Sequence, residues 1–199
     1  MCPGNQKFEH ACFISYKHPP KNAPEEFFYQ SYVRALKKGL EYYLATEFRT
    51  FLDEDADPGS FYPKNLSQTL CKSVCMLAVL TPDYQDSNWC RAEWEAMENF
   101  EAKRLGGRRG LIIPIVARGK VKDFENRFKR TAVDLVVALP AQLKNPKNAA
   151  KVQKLAGIID NWVRQVHDPC EDCTTFEFNL GPEELTFPPS YNDPDPLAG

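Results

Sequence analysis

The last basic residue of this 199-residue chain is Arg164; the 35 residues beyond it carry eight acids and no lysine or arginine. The formal net charge is −2, so the first 164 residues sum to +6. A mildly basic body suits an anionic small molecule such as a dinucleotide. It is too weak a charge for nucleic-acid binding, which is not expected. No apolar run approaches the ~18 residues that a membrane span needs, and the first residues, Met1 to Gln6, lack the apolar stretch of a secretory signal. No membrane association and a cytoplasmic location are the expectations. Three absences bear on chemistry. Without a G-x-S-x-G elbow, Ser15, His18 and Asp53 do not read as a hydrolytic triad. Gly106-Gly107-Arg108-Arg109-Gly110 lacks the G-K-[ST] ending of a phosphate loop and precedes a strand, so it reads as a turn. Asp53, Asp55 and Asp57 lack the twelve-residue spacing and terminal Glu of a calcium loop.

Cysteine is present but unpatterned: Cys2, Cys12, Cys71, Cys75, Cys90, Cys170 and Cys173. The count is odd and several lie in apolar runs, which points to reduced core cysteines. His167, Cys170 and Cys173 have metal-like spacing, but no second C-x-x-C supplies further ligands, and no metal is expected.

What the chain does have is one rhythm, apolar strands alternating with helical patterns. Ala11–Tyr16, Phe48–Leu52, Val74–Leu80, Leu111–Val116 and Val133–Leu139 read as strands. Between and after them, Glu25–Ala45, about Tyr62–Lys72, Ser87 to about Arg104 and about Asn148–Val166 carry helical periodicity. Thr81-Pro82 and Asp86-Ser87 read as helix caps, and Gly106-Gly107 as a stop. Asp53 to Ser60 is a loop by its charge and its Pro-Gly. The expected fold is a flavodoxin-like three-layer α/β sandwich, a five-stranded parallel sheet with helices on both faces. The expected boundaries are a domain over residues 8–167 and an acidic, proline-rich tail over 168–199, poorly ordered unless it docks.

In such sheets ligands bind beyond the carboxyl ends of the strands, where strand order reverses. Three segments should open there: Ser15-Tyr16-Lys17-His18, the loop from Asp53 to Phe61, and Thr81 through Glu93. The third places Trp89 and Glu93 four residues apart, on one face of a helix. An aromatic plate beside a carboxylate suits a flat cationic group attached through a bond whose cleavage generates positive charge. The plain alternative is a core tryptophan and a solvated glutamate.

Three motifs in order carry a resemblance. Phe13-Ile14-Ser15-Tyr16 resembles the first signature box of the Toll/interleukin-1 receptor (TIR) domain. Phe51-Leu52-Asp53 with the acidic loop ending Pro58-Gly59 resembles its second strand and BB loop. Ser73–Leu80, Thr81-Pro82-Asp83-Tyr84 and Ser87-x-Trp89-Cys90-x-x-Glu93 resemble its third strand and the start of its αC helix. The match runs from about residue 8 to 105; the tail has no counterpart.

The family contains scaffolding adaptors and enzymes that cleave the nicotinamide–ribose bond of NAD+ with a glutamate on αC. The tryptophan four positions earlier recurs in many members, and Trp89 and Glu93 match it. The resemblance therefore implies an NAD+ nucleosidase with Glu93 catalytic, similar to short bacterial TIR proteins of antiphage defence. NAD+ is then substrate and no cofactor is expected. Ser15, Tyr16, Lys17, His18, Asp53, Phe61, Ser87 and Trp89 become candidate substrate-binding residues. Self-association through TIR–TIR contacts that include the BB loop is implied, as is a downstream effector that senses the product. The alternatives are a non-catalytic adaptor or a mimic of host TIR domains, which often lack the glutamate, and a flavodoxin-like response module, which would need paired acids after the first strand.

Overall fold

In the computed structural model the structure describes residues 7–18, 25–52, 62–169 and 172–178. Five parallel strands form one sheet: β1 (His10–Tyr16), β2 (Arg49–Phe51), β3 (Ser73–Leu80), β4 (Ile112–Val116) and β5 (Val133–Asp134), in spatial order β2-β1-β3-β4-β5. Helices α1 (Glu26–Tyr43) and α5 (Pro146–Gln165) pack together on one face; α2 (Tyr62–Cys71) and α3 (Asn88–Arg104) cover the other. A fourth helix, α4 (Val121–Phe128), lies beside α3, with the Phe128 ring 4.4 Å from that of Trp94. Two short 3-10 turns, Tyr84–Asp86 and Pro140–Lys144, complete the elements among the described residues.

The central strands are apolar throughout because both sheet faces are covered. All eight residues of β3 are buried. Burial of this kind is the main source of stability, at roughly 25 cal/mol per Å² of apolar surface. β1 is buried from Ala11 to Tyr16, and its side chains alternate between the faces. Ser15 therefore points toward α3, while Tyr16 belongs to the α1 face.

The expected flavodoxin-like sandwich is the observed fold, and four strands lie within a residue or so of their expected bounds. The fifth differs. Only Val133–Asp134 pair with β4, and one further bond, Leu135 N–H to the Val116 carbonyl, extends the ladder. The apolar run to Leu139 leaves the sheet: Leu135 and Val137 are buried, while Val136 and Leu139 are exposed. α4 was not expected, because it is mostly charged and only Val121, Phe124 and Phe128 mark its apolar side.

The reading of the cysteines as reduced needs correction. Cys12, Cys75 and Cys90 are free and buried, as expected for core thiols. Cys71 and Cys173 instead form a disulfide that joins the end of α2 to the segment after α5, 102 residues away in sequence. Residues 172–178 consequently lie across α2 and α3. Gln68 Nε2 donates to the Thr174 carbonyl at 2.6 Å and Ser67 Oγ to that of Phe176 at 3.0 Å. The Phe176 ring sits 4.8 Å from Phe100, and Phe178 meets Trp89 edge-on at 6.1 Å.

Candidate active site

Strand order reverses between β1 and β3, and the loops that leave their carboxyl ends build the site. From β1 come Ser15 and Lys17. From β3 come Thr81, Asp83 and Tyr84, and the chain then enters α3. Ser87 caps that helix: its Oγ accepts from the Cys90 amide at 3.3 Å. A capped first turn fixes the direction in which α3 leaves, and so the position of Glu93 one turn later.

Glu93 turns inward. Its side chain lies in a residue only 6 % exposed, and Ser15 Oγ donates to Glu93 Oε2 at 2.5 Å. Tyr84 Oη stands 2.6 Å from the same serine oxygen. Ser15 has one hydroxyl proton, already committed to the carboxylate, so the proton between Tyr84 and Ser15 belongs to the tyrosine. The direction of the chain is thus Tyr84 to Ser15 to Glu93. Burial first, then the nearby Cys90 and Glu93, push the Tyr84 phenol well above its ordinary value, and the Ser15 bond offsets this only in part. Tyr84 accordingly remains a donor. Burial and the Glu93 charge likewise raise the Cys90 thiol, so Cys90 is inert packing and not a nucleophile.

Around this core lie charged groups. Lys17 Nζ pairs with Asp83 Oδ2 at 2.9 Å, bridging the loops after β1 and β3. Thr81 Oγ1 donates to Asp83 Oδ1 at 2.7 Å. Burial pushes the Asp83 carboxyl up, but the bonds from Lys17 and Thr81 outweigh it and the net shift is downward. After β4, the Arg118 guanidinium lies over the rings of Phe28 and Tyr29, at 4.5 and 5.6 Å. Tyr29 is raised by burial and by Asp83, against the pull of Arg118.

The expected residues divide. Ser15, Lys17, Ser87 and Glu93 converge on the β1–β3 switch point. Tyr16 and His18 pack on each other, ring centroids 4.3 Å apart, on the opposite alternation of the strand. Trp89 is half-buried with the Phe178 ring edge-on against it, and Glu93, four residues on, is bonded to Ser15 on β1. Asp53 and Phe61 lie outside the described residues. Tyr84, Asp83 and Arg118 are additions. Tyr84 was visible as part of a motif, and Arg118 as a base directly after the β4 apolar run.

A five-stranded parallel sheet in the order β2-β1-β3-β4-β5, with helices on both faces, is a flavodoxin-like α/β fold, and the Glu93 carboxylate on the helix after β3 meets Ser15 near the end of β1. The TIR domain family model matches residues 13–155, and the chain belongs to that family. Among solved structures, the TIR domain of the Toll-related receptor TRR-2 from Hydra magnipapillata is similar, with 23 % identity, coverage of 75 % of this chain and 98 % of that one, and a TM-score of 0.48. None of the curated proteins matches the chain. No helix among the described residues is long and apolar enough to cross a membrane.

Proposed function

We propose that this TIR domain cleaves the nicotinamide–ribose bond of NAD+, as an enzyme of the ADP-ribosyl hydrolase or cyclase type. The observation that carries the reading is the Glu93 carboxylate, buried at the strand-order switch and held by a hydroxyl donor. Nicotinamide in NAD+ is already cationic, so it departs neutral, taking the bonding electron pair, without a general acid. Positive charge grows on the ribose, and one preorganised carboxylate beside it supplies the stabilisation, typically worth ~3–4 kcal/mol. Water adding to the anomeric carbon and losing a proton gives ADP-ribose; an internal or foreign nucleophile gives a cyclic isomer or a conjugate.

In this reading a ribose hydroxyl takes over the donor position that Ser15 fills, and Glu93 accepts from it. Lys17, held at the mouth by Asp83, faces the anionic pyrophosphate. Trp89 would stack on the nicotinamide ring, worth ~0.5–2 kcal/mol, once Phe178 withdraws. Asp53 and Phe61 would contribute from the BB loop, within one subunit or across a self-associated pair. Release of a signal to a downstream effector in defence rests on the family resemblance alone.

One observation favours a second reading, a non-catalytic TIR adaptor: the carboxylate is already bonded inward and little exposed, as a structural acid would be. Chromatography of NAD+ incubated with the protein, with and without crowding to force assembly, decides between them. Nicotinamide release that disappears in Glu93→Gln supports the enzyme. No release in any assembled state leaves the adaptor.

A further inference from the structure

The segment after α5 is tied across the α2–α3 groove at three levels, all in one direction. At the amino end of the sheet, Cys173 is bonded to Cys71, and neither residue is exposed. Arg104 fixes the surroundings: it donates to the Cys71, Ser73 and Pro169 carbonyls at 2.6, 2.9 and 3.0 Å. In the middle, Ser67 and Gln68 hold the carbonyls of Phe176 and Thr174, and Phe176 fills the space over Phe100. At the carboxyl end Phe178 covers Trp89, one helical turn before Glu93. Its local turn is closed at Asp172, whose carboxylate accepts from the Thr174 amide and hydroxyl at 3.0 and 2.6 Å and whose carbonyl accepts from the Thr175 amide and hydroxyl, each at 3.3 Å.

We propose that Cys71–Cys173 is a reversible thiol–disulfide site, a latch that holds residues 172–178 over the α2–α3 groove and whose reduction uncovers Trp89 and Phe100. The geometry gives the bond a specific task. Ser67 and Gln68 bond to its carbonyls and Phe176 and Phe178 pack on Phe100 and Trp89, but single net hydrogen bonds are weak. A covalent tie makes those contacts intramolecular at high effective concentration; without it they compete with water and with the entropy of seven freed residues.

The co-reactant is a dithiol. One thiolate attacks a latch sulfur, the S–S bond breaks, and the released cysteine thiolate takes a proton. The second thiol of the reductant then closes on the mixed disulfide, which frees the other cysteine. Two electrons and two protons pass to the protein and the reductant leaves as its disulfide. Since both cysteines are buried, attack requires the strap to lift first, so opening gates the chemistry. Disulfides of this kind persist in oxidising compartments and act as sensors where thiols dominate. The latch itself is independent of NAD+ chemistry; only its consequence for nicotinamide stacking on Trp89 rests on the proposed function.

The test is hydroxyl-radical footprinting by mass spectrometry of the full chain, prepared without reductant and then treated with dithiothreitol. Before reduction, Cys71 and Cys173 should resist alkylation and appear as one cross-linked peptide pair. After reduction, both alkylate and labelling of Trp89 and Phe178 rises several-fold, while Trp94 stays constant. Cys173→Ser should show the open footprint without reductant. Phe178→Ala should raise Trp89 labelling with the disulfide intact, a check that survives if Cys173→Ser misfolds. Free Cys71 and Cys173 in protein prepared without reductant would overturn the proposal, and so would an unchanged Trp89 footprint after reduction. If the strap opens but nicotinamide is released in neither redox state, the latch stands and the NAD+ reading falls.

Discussion

Ser15 and Glu93 stand 78 positions apart in the chain, yet the serine hydroxyl donates to the glutamate carboxylate across 2.5 Å, in a place where neither is more than 6 % exposed. A buried carboxylate is costly unless it is hydrogen-bonded, and this bond brings the αC-type helix and the first strand into one site. Ser15→Ala removes this donor from a buried acid. The expected loss is about 1.5–3 kcal/mol of stability, the range for bonds to charged groups, measured by denaturant unfolding. An unchanged midpoint would mean that Glu93 finds another donor and that Ser15 does not position it.

Tyr84 acts one step further back. Tyr84→Phe removes the proton that Ser15 accepts while the serine keeps its bond to Glu93. About 1 kcal/mol of stability should be lost, less than in Ser15→Ala. If the domain cleaves NAD+, the substitution should lower kcat more than it raises KM, because it loosens the carboxylate without touching substrate. Equal losses in Tyr84→Phe and Ser15→Ala would argue against the order of donors derived above.

Much of this arrangement was legible beforehand, and the reasons differ by element. β3 announced itself as an unbroken apolar run because it is buried on both faces, and Ser87 announced α3 because serine is a favoured N-cap whose hydroxyl accepts from the first-turn amides. The run after Val133 misled, since its apolar residues serve two environments: Leu135 and Val137 enter the core while Val136 and Leu139 stay outside. The Cys71–Cys173 bond was invisible, because nothing local marks two cysteines 102 residues apart as neighbours. The inward turn of Glu93 was half-legible. Its helix face followed from spacing, but the partner on β1 depended on a sheet order that brings β1 beside β3.

Among the described residues, Glu101 and Arg130 form a buried ion pair away from the site. Glu101 accepts from Arg130 Nη1 and Nη2, at 3.1 and 2.6 Å, and from the backbone amides of Gly110 and Leu111, the latter at 2.7 Å. Burial pushes the Glu101 carboxyl up, but the Arg130 bond, the Gly110 amide and the arginine charge together bring it below its ordinary value of 4.5. A carboxylate lowered in the folded state contributes stability that is fully present above the unfolded value. That contribution is lost as pH falls below 4.5 and through the folded value. Wild-type stability should therefore decline over this acid range, and Glu101→Gln should flatten the decline while lowering stability at neutral pH. Arg130→Met, which strands the acid, should cost about 3–5 kcal/mol at neutral pH. Parallel acid limbs in wild type and Glu101→Gln would remove Glu101 as the cause.

Gly110 connects that ion pair to α5. Its φ is +154°, at the edge of the region that side chains rarely adopt, and a Cβ there would lie 2.3 Å from the Trp162 ring. The same residue gives its amide to Glu101. Gly110→Ala must therefore displace the indole, shift the amide, or both. Overpacking of this type costs about 1–3 kcal/mol, and the lost amide would add to it. Urea unfolding of Gly110→Ala beside Gly110→Ala/Trp162→Leu separates the two. If the indole is the obstacle, the double variant recovers part of the loss relative to Trp162→Leu alone; if the amide shift dominates, the second substitution recovers nothing and the acid limb of stability flattens as in Glu101→Gln.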